Sequence, residues 1–99
     1  MTEPGSLAIK PVDLKNPSKE DVVIEINYSG ISTGTEKLFY NGKMPQFPGM
    51  GYPLVPGYES TGEVVQAPED SSIKVGDVVF VPGADCYSGS VKSLFGGAA

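Results

Sequence analysis

Polar and apolar residues alternate along parts of this chain and give way to Gly/Pro-rich turns between them. The clearest alternation is Glu20 to Tyr28. Val22, Ile24, Ile26 and Tyr28 fall on one face, and Val23, Glu25 and Asn27 on the other. That two-residue period predicts a half-buried strand. A second strand is predicted over Glu59 to Ala67, with Gly62 interrupting its start. A third, Val78 to Val81, is continuously apolar and is stopped by Pro82-Gly83. Leu7 and Ile9 alternate weakly, which predicts a short edge strand over Ser6 to Val12, closed by Pro11. Turns are expected at Asn16-Pro17-Ser18-Lys19, Pro68 to Ser72 and Val75-Gly76-Asp77.

The stretches between strands are less regular. Ser29 to Glu36 reads S-G-I-S-T-G-T-E and predicts a loop. Glu36 to Tyr40 fits one helical turn ended by Asn41-Gly42. Lys43 to Pro56 is a long loop of prolines, glycines and large apolar residues, too apolar for disorder. Ala84 to Ala99 is Gly/Ser-rich, with hydrophobic spots at Val91 and Leu94-Phe95. Short strands joined by Gly/Pro turns predict a mainly β domain, a barrel or sandwich with little helix.

One stretch looks like a site. From Gly51 to Val65, Pro53 and Pro56 stiffen the backbone and Gly57 frees it to turn. Tyr58 and Glu59 follow, a phenol beside a carboxylate at the start of a strand.

Composition narrows the functions. The chain has 99 residues and a net charge of −5, and all of its basic residues are lysines. One domain with a modest core is expected. Nucleic acid is a poor partner for such a surface. No apolar run is long enough to span a bilayer and no signal peptide is visible, so a cytoplasmic protein is expected. Cys86 is the only cysteine and histidine is absent, which excludes an internal disulfide and disfavours a zinc site within the chain.

Three pieces stand in order: Gly30-Ile31-Ser32 after a strand, Pro56-Gly57-Tyr58-Glu59 with Gly62, and Val75-Gly76-Asp77-Val78-Val79. From about Glu20 to Val81 this order resembles the N-terminal half of the medium-chain dehydrogenases/reductases. The resemblance implies a chaperonin-10 (GroES)-like, partly open β-barrel. It makes residues 1–99 an N-terminal catalytic domain cut before its last strands, with the nucleotide-binding Rossmann half elsewhere. Four longer strings, Ser29 to Leu38, Pro45 to Ser60, Val79 to Ala84 and Leu94 to Ala99, resemble one branch of that family. Its members oxidise the hydroxyethyl arm of a bacteriochlorophyllide to acetyl in bacteriochlorophyll synthesis. NAD is then the implied cofactor, and a chlorin or bacteriochlorophyllide the implied substrate.

The departures from the family pattern are chemical. Where the family has cysteine and histidine as catalytic zinc ligands, this chain has Ser32, or Thr33 in a shifted register, and Tyr58. Neutral hydroxyls are poor zinc ligands, so no zinc is expected. Gly49-Met50-Gly51 is no dinucleotide fingerprint, since Pro53 follows and no strand-turn-helix frames it. An alcohol must then lose its proton to a side chain or water chain. Tyr58 as relay and Glu59 as terminal acceptor are the candidates, with Ser32 and Thr33 beside them. Thr35 and Glu36 are candidates for orienting the substrate. Phe39, Tyr40, Met44, Phe47, Met50 and Tyr52 are the expected macrocycle surface.

Each residue also has a structural reading. Tyr58 and the loop aromatics can simply pack, Glu59 and the hydroxyls can satisfy backbone groups, Glu36 can be a solvated or helix-start charge, and Cys86 can be incidental. Two other functions stay open at this level. One is a zinc-free quinone or enone reductase of the same superfamily. The other is a non-enzymatic barrel that binds pigment or assembles like a co-chaperonin. Homo-oligomerisation is left open.

Overall fold

The computed structural model describes residues 1–93. In chain order it contains β1 (Val23–Ser29), α1 (Thr33–Asn41), β2 (Leu54–Val55), β3 (Ser60–Gln66), β4 (Val78–Val81) and β5 (Lys92–Ser93). β1, β3 and β4 form an antiparallel sheet with β3 in the middle. β2 and β5 make a short parallel pair. The expected mainly β, open architecture is what is found. Leu94 and Phe95, with the rest of the C-terminal string, lie outside the described residues.

The strand periodicity locates the sheet correctly, to within a few residues at the ends. Register then decides the faces. Ile24 pairs with Val64, Gly62 pairs with both Ile26 and Val79, and Ser60 pairs with Val81. Partners across a ladder share a face, and here Ser60, Val64 and Val81 are buried. At Gly62 β1 and β3 approach closely. A Cβ there would lie 2.3 Å from the Glu25 carbonyl oxygen and 2.8 Å from Ile24 Cγ2. The corner into β4 follows the predicted turn. Gly76 has φ 95°, and its N–H donates to the Val64 carbonyl at 2.9 Å.

Three expectations are corrected. Tyr28 does not share a face with Ile24 and Ile26. The register shifts between Ile26 and Tyr28, and the added residue turns Tyr28 over to pair with Thr61 on the outer face, 78% exposed. The helix is longer than one turn. It begins at Thr33, in what reads as loop, with extended Ser32 before it. It ends where expected, because Gly42 is left-handed at φ 71°. Gly42 N–H donates to Phe39 O at 3.2 Å and Lys43 N–H to Leu38 O at 2.9 Å, which caps the last carbonyls. The edge strand over Ser6 to Val12 is not formed. Leu7 and Ile9 are exposed and find no partner strand there. The N-terminal residues engage by isolated contacts instead. The Met1 ammonium donates to Leu54 O at 2.9 Å, Leu54 N–H returns a bond to Met1 O at 2.7 Å, and Gly5 N–H donates to Tyr40 O at 2.6 Å.

These contacts close a small core at the end of the sheet. Phe39 has no exposed surface and Leu54 almost none. Met1, Met44, Phe47, Met50, Tyr52 and Tyr58 pack around them, each partly buried. Phe39 and Phe47 meet edge to face, centroids 6.1 Å apart and planes at 80°. Tyr52 Oη donates to the Phe39 carbonyl oxygen. The apolar loop is ordered because it wraps its own centre.

Residues 13–15 tie to residues 85–88. Leu14 bridges Tyr87, Lys15 N–H donates to Cys86 O at 2.8 Å, and Ser88 N–H donates to Asp13 O at 2.9 Å. The Lys15 ammonium also pairs with the Asp85 carboxylate. Burial pushes the Cys86 thiol up, and the Asp85 charge adds to that. Burial pushes the Tyr87 phenol up as well.

Truncating the centre of the small core, Phe39→Ala, is expected to lower unfolding free energy by about 3–5 kcal/mol in urea titrations. Gly62→Ala must push two backbones apart. A loss of about 1–3 kcal/mol is expected, with faster hydrogen exchange of β1 and β3 amides. Cys86 should alkylate more slowly in the folded protein than in urea. The pH midpoint of its reaction with iodoacetamide should lie above that of an unstructured thiol, about 8.5.

Candidate functional site

The site lies where β1 ends and β3 begins. Ser29 pairs with Ser60, and Gly30 N–H extends the ladder to the Glu59 carbonyl at 2.9 Å. Antiparallel pairing therefore sets two distant motifs side by side. The segment leaving β1 carries Gly30, Ile31 and Ser32. The segment entering β3 carries Gly57, Tyr58 and Glu59. Gly57 is buried with φ 98°, a conformation that suits glycine.

The two ionisable neighbours part company here. Tyr58 is partly buried against the Phe39–Leu54 cluster. The Glu59 side chain lies over Gly30 and lines a shallow hollow of about 290 Å³. Tyr28, Ser29, Gly30, Ser60, Thr61 and Phe80 complete that hollow. Tyr28 and Phe80 on its rim are exposed, and half-buried Thr61 pairs with both across the three strands. The sequence suggests Tyr58 as a relay and Glu59 as the terminal acceptor. The backbone instead gives each side chain its own surroundings.

Ser32 and Thr35 are brought together. Ser32 precedes the helix, and its hydroxyl donates to Thr35 Oγ1 at 3.1 Å rather than to a backbone amide. Both are half-buried. Thr33 is exposed at the first position of α1. Glu36 sits half-buried in the first turn, where its charge suits the helix dipole, and its N–H donates to Ser32 O at 2.9 Å. The hydroxyl-rich stretch that reads as loop is thus a helix start whose side chains are free of backbone duty at Ser32.

The expected macrocycle surface divides. Phe39 is wholly buried, so it is a packing residue and has no face to offer a ligand. Met44, Phe47, Met50 and Tyr52 spend one side on the same cluster and keep some exposure. Tyr40 is on the surface of the helix. The hollow beside Glu59 is instead lined by Tyr28 and Phe80, which sequence reasoning did not single out. Tyr28 and Phe80 reach it through a bulge and a strand register, and neither leaves a mark in local sequence.

The donor set does not suit a catalytic zinc. The two segments leaving β1 and entering β3 carry serine, threonine, tyrosine and a carboxylate, without a thiolate or imidazole. Among the described residues no three of His, Cys, Asp and Glu gather as a metal would need. Cys86 stands with Asp13 to Lys15 instead. Among the described residues no helix is long and apolar enough to cross a membrane.

Known proteins can now be set beside this geometry. The chain is 58% identical over 98 residues to the 2-desacetyl-2-hydroxyethyl bacteriochlorophyllide A dehydrogenase of Rhodobacter capsulatus, and covers 31% of that protein. It is 54% identical over 102 residues to the protein of the same name in Cereibacter sphaeroides, covering 32%. In both cases 99% of this chain is matched. A probable cinnamyl alcohol dehydrogenase of Lolium perenne is 38% identical over 78 residues, which is 78% of this chain and 20% of that protein. The chain thus spans about a third of the length of the bacterial relatives. No solved structure matches it. The alcohol dehydrogenase GroES-like domain matches residues 18–97, and the chain belongs to that family.

Proposed function

We propose that this chain is the N-terminal catalytic part of a longer dehydrogenase that oxidises the hydroxyethyl arm of a bacteriochlorophyllide to acetyl. The observation that carries the reading is the seat of Glu59. A carboxylate lies over Gly30 in an open hollow at the strand junction. The chain that holds it is 58% identical to a dehydrogenase named for that substrate. The dehydrogenase relatives favour this over a pigment-binding module, and their names favour it over a quinone or enone reductase.

The chemistry left to these residues is proton removal. Oxidation of a secondary alcohol sends a hydride from carbon to an acceptor and a proton from oxygen to a base. NAD, held chiefly by chain outside these residues, supplies the hydride acceptor. Glu59 takes the hydroxyl proton, directly or through water. Tyr58, partly buried against the small core, serves as a hydroxyl relay for that proton. Ser32, Thr33, Thr35 and Glu36 border the junction and orient the alcohol oxygen. The partly exposed Met44, Phe47, Met50 and Tyr52, with Tyr40, give the flat apolar ring its rim. No zinc is used, because hydroxyls stand where ligands would be needed.

In the complete enzyme, Glu59→Gln is expected to lower turnover on the order of 10²-fold, since an amide cannot take the proton. Tyr58→Phe should lower it less. Both are read from the long-wavelength absorption change of the pigment with NAD present. Unchanged turnover in both variants would remove these residues from the mechanism. The 99-residue chain alone should show no turnover with NAD and pigment, and activity there would overturn the division of labour.

A further inference from the structure

We propose that Gly30 is a positioning residue for Glu59: its bare Cα is the seat on which the Glu59 side chain lies. A Cβ built on Gly30 would stand 2.7 Å from Glu59 Oε1, 2.8 Å from Cγ and 3.1 Å from Cδ. Those are the atoms nearest that position, and all belong to Glu59. The backbone itself does not ask for glycine, because the φ of Gly30 lies outside the left-handed region. An alanine would fit the chain but not the carboxylate.

Nor can Glu59 yield by sliding. Its carbonyl accepts the Gly30 N–H at 2.9 Å, and the next residue, Ser60, is buried and paired with both Ser29 and Val81. With the main chain held, the contact with Cγ is relieved only by rotation about the Cα–Cβ bond of Glu59. That swings the carboxylate off its present place in the hollow. Gly30 thus acts on the reaction through Glu59 and touches no reacting atom. The catalytic part of this inference rests on the proposed role of Glu59; the seat itself does not.

The test is a cycle of Gly30→Ala, Glu59→Ala and the double variant in the complete enzyme. Turnover is assayed with NAD and the hydroxyethyl pigment, and stability by urea unfolding. Gly30→Ala is expected to lower kcat on the order of 10²-fold with KM little changed, as loss of a base would. In the Glu59→Ala background the same change should leave kcat where it was. The unfolding midpoint should fall on Gly30→Ala when Glu59 is present and not when it is alanine. Full kcat in Gly30→Ala beside a depressed kcat in Glu59→Ala would overturn the inference. So would equal shifts of the unfolding midpoint in both backgrounds. A full kcat in Glu59→Ala would instead remove Glu59 from the reaction and the catalytic consequence with it. The unfolding cycle then decides the seat alone.

Discussion

β1 and β3 meet at Gly62 so closely that a methyl group there would overlap the Glu25 carbonyl oxygen, 2.3 Å away. Beyond that contact the register shifts at the bulge, Ser29 pairs with Ser60, and the ladder runs one bond further, from Gly30 N–H to Glu59 O. Two segments almost thirty residues apart are thereby laid against each other at the sheet's end. One glycine permits the strands to approach, and a second, Gly30, gives the carboxylate somewhere to lie.

The second constraint is the economy of a small core. Few large side chains are fully buried in the described residues, with Phe39 and Val64 foremost. The aromatic and methionine residues of the long loop therefore have two tasks at once. They must bury Phe39 and Leu54, and only what remains exposed can serve a ligand. The division between packing and binding runs through single side chains such as Tyr52, whose hydroxyl is bonded to the Phe39 carbonyl. Several other large apolar residues stay exposed on the outer face, including Tyr28, Val78 and Phe80.

The family's metal chemistry is the third consideration. In place of thiolate and imidazole, the junction carries hydroxyls and one carboxylate. These groups form hydrogen bonds readily and hold zinc poorly. The Ser32 hydroxyl bonds to Thr35, and the Glu59 side chain lies over Gly30.

The sequence by itself determined what is local. Alternation located β1 and β3, continuous apolar residues located β4, and Asn41-Gly42 located the end of the helix, because period and φ are properties of a few adjacent residues. The motifs around Ser32 and Glu59 were visible in the sequence; that β1 and β3 set the segments carrying them side by side was not. The start of the helix was not, since Ser32 to Glu36 has the composition of a loop and is helical through its place against the rest. The edge strand over Ser6 to Val12 was legible as a pattern and failed for want of a partner. Only the tertiary structure decided which neighbours the site has. The bulge before Tyr28 turned that ring outward. The core claimed Phe39, and Tyr58 and Glu59 were sent to different surroundings. The physical reason is that register and face are set by contacts between strands, and no residue carries that information alone.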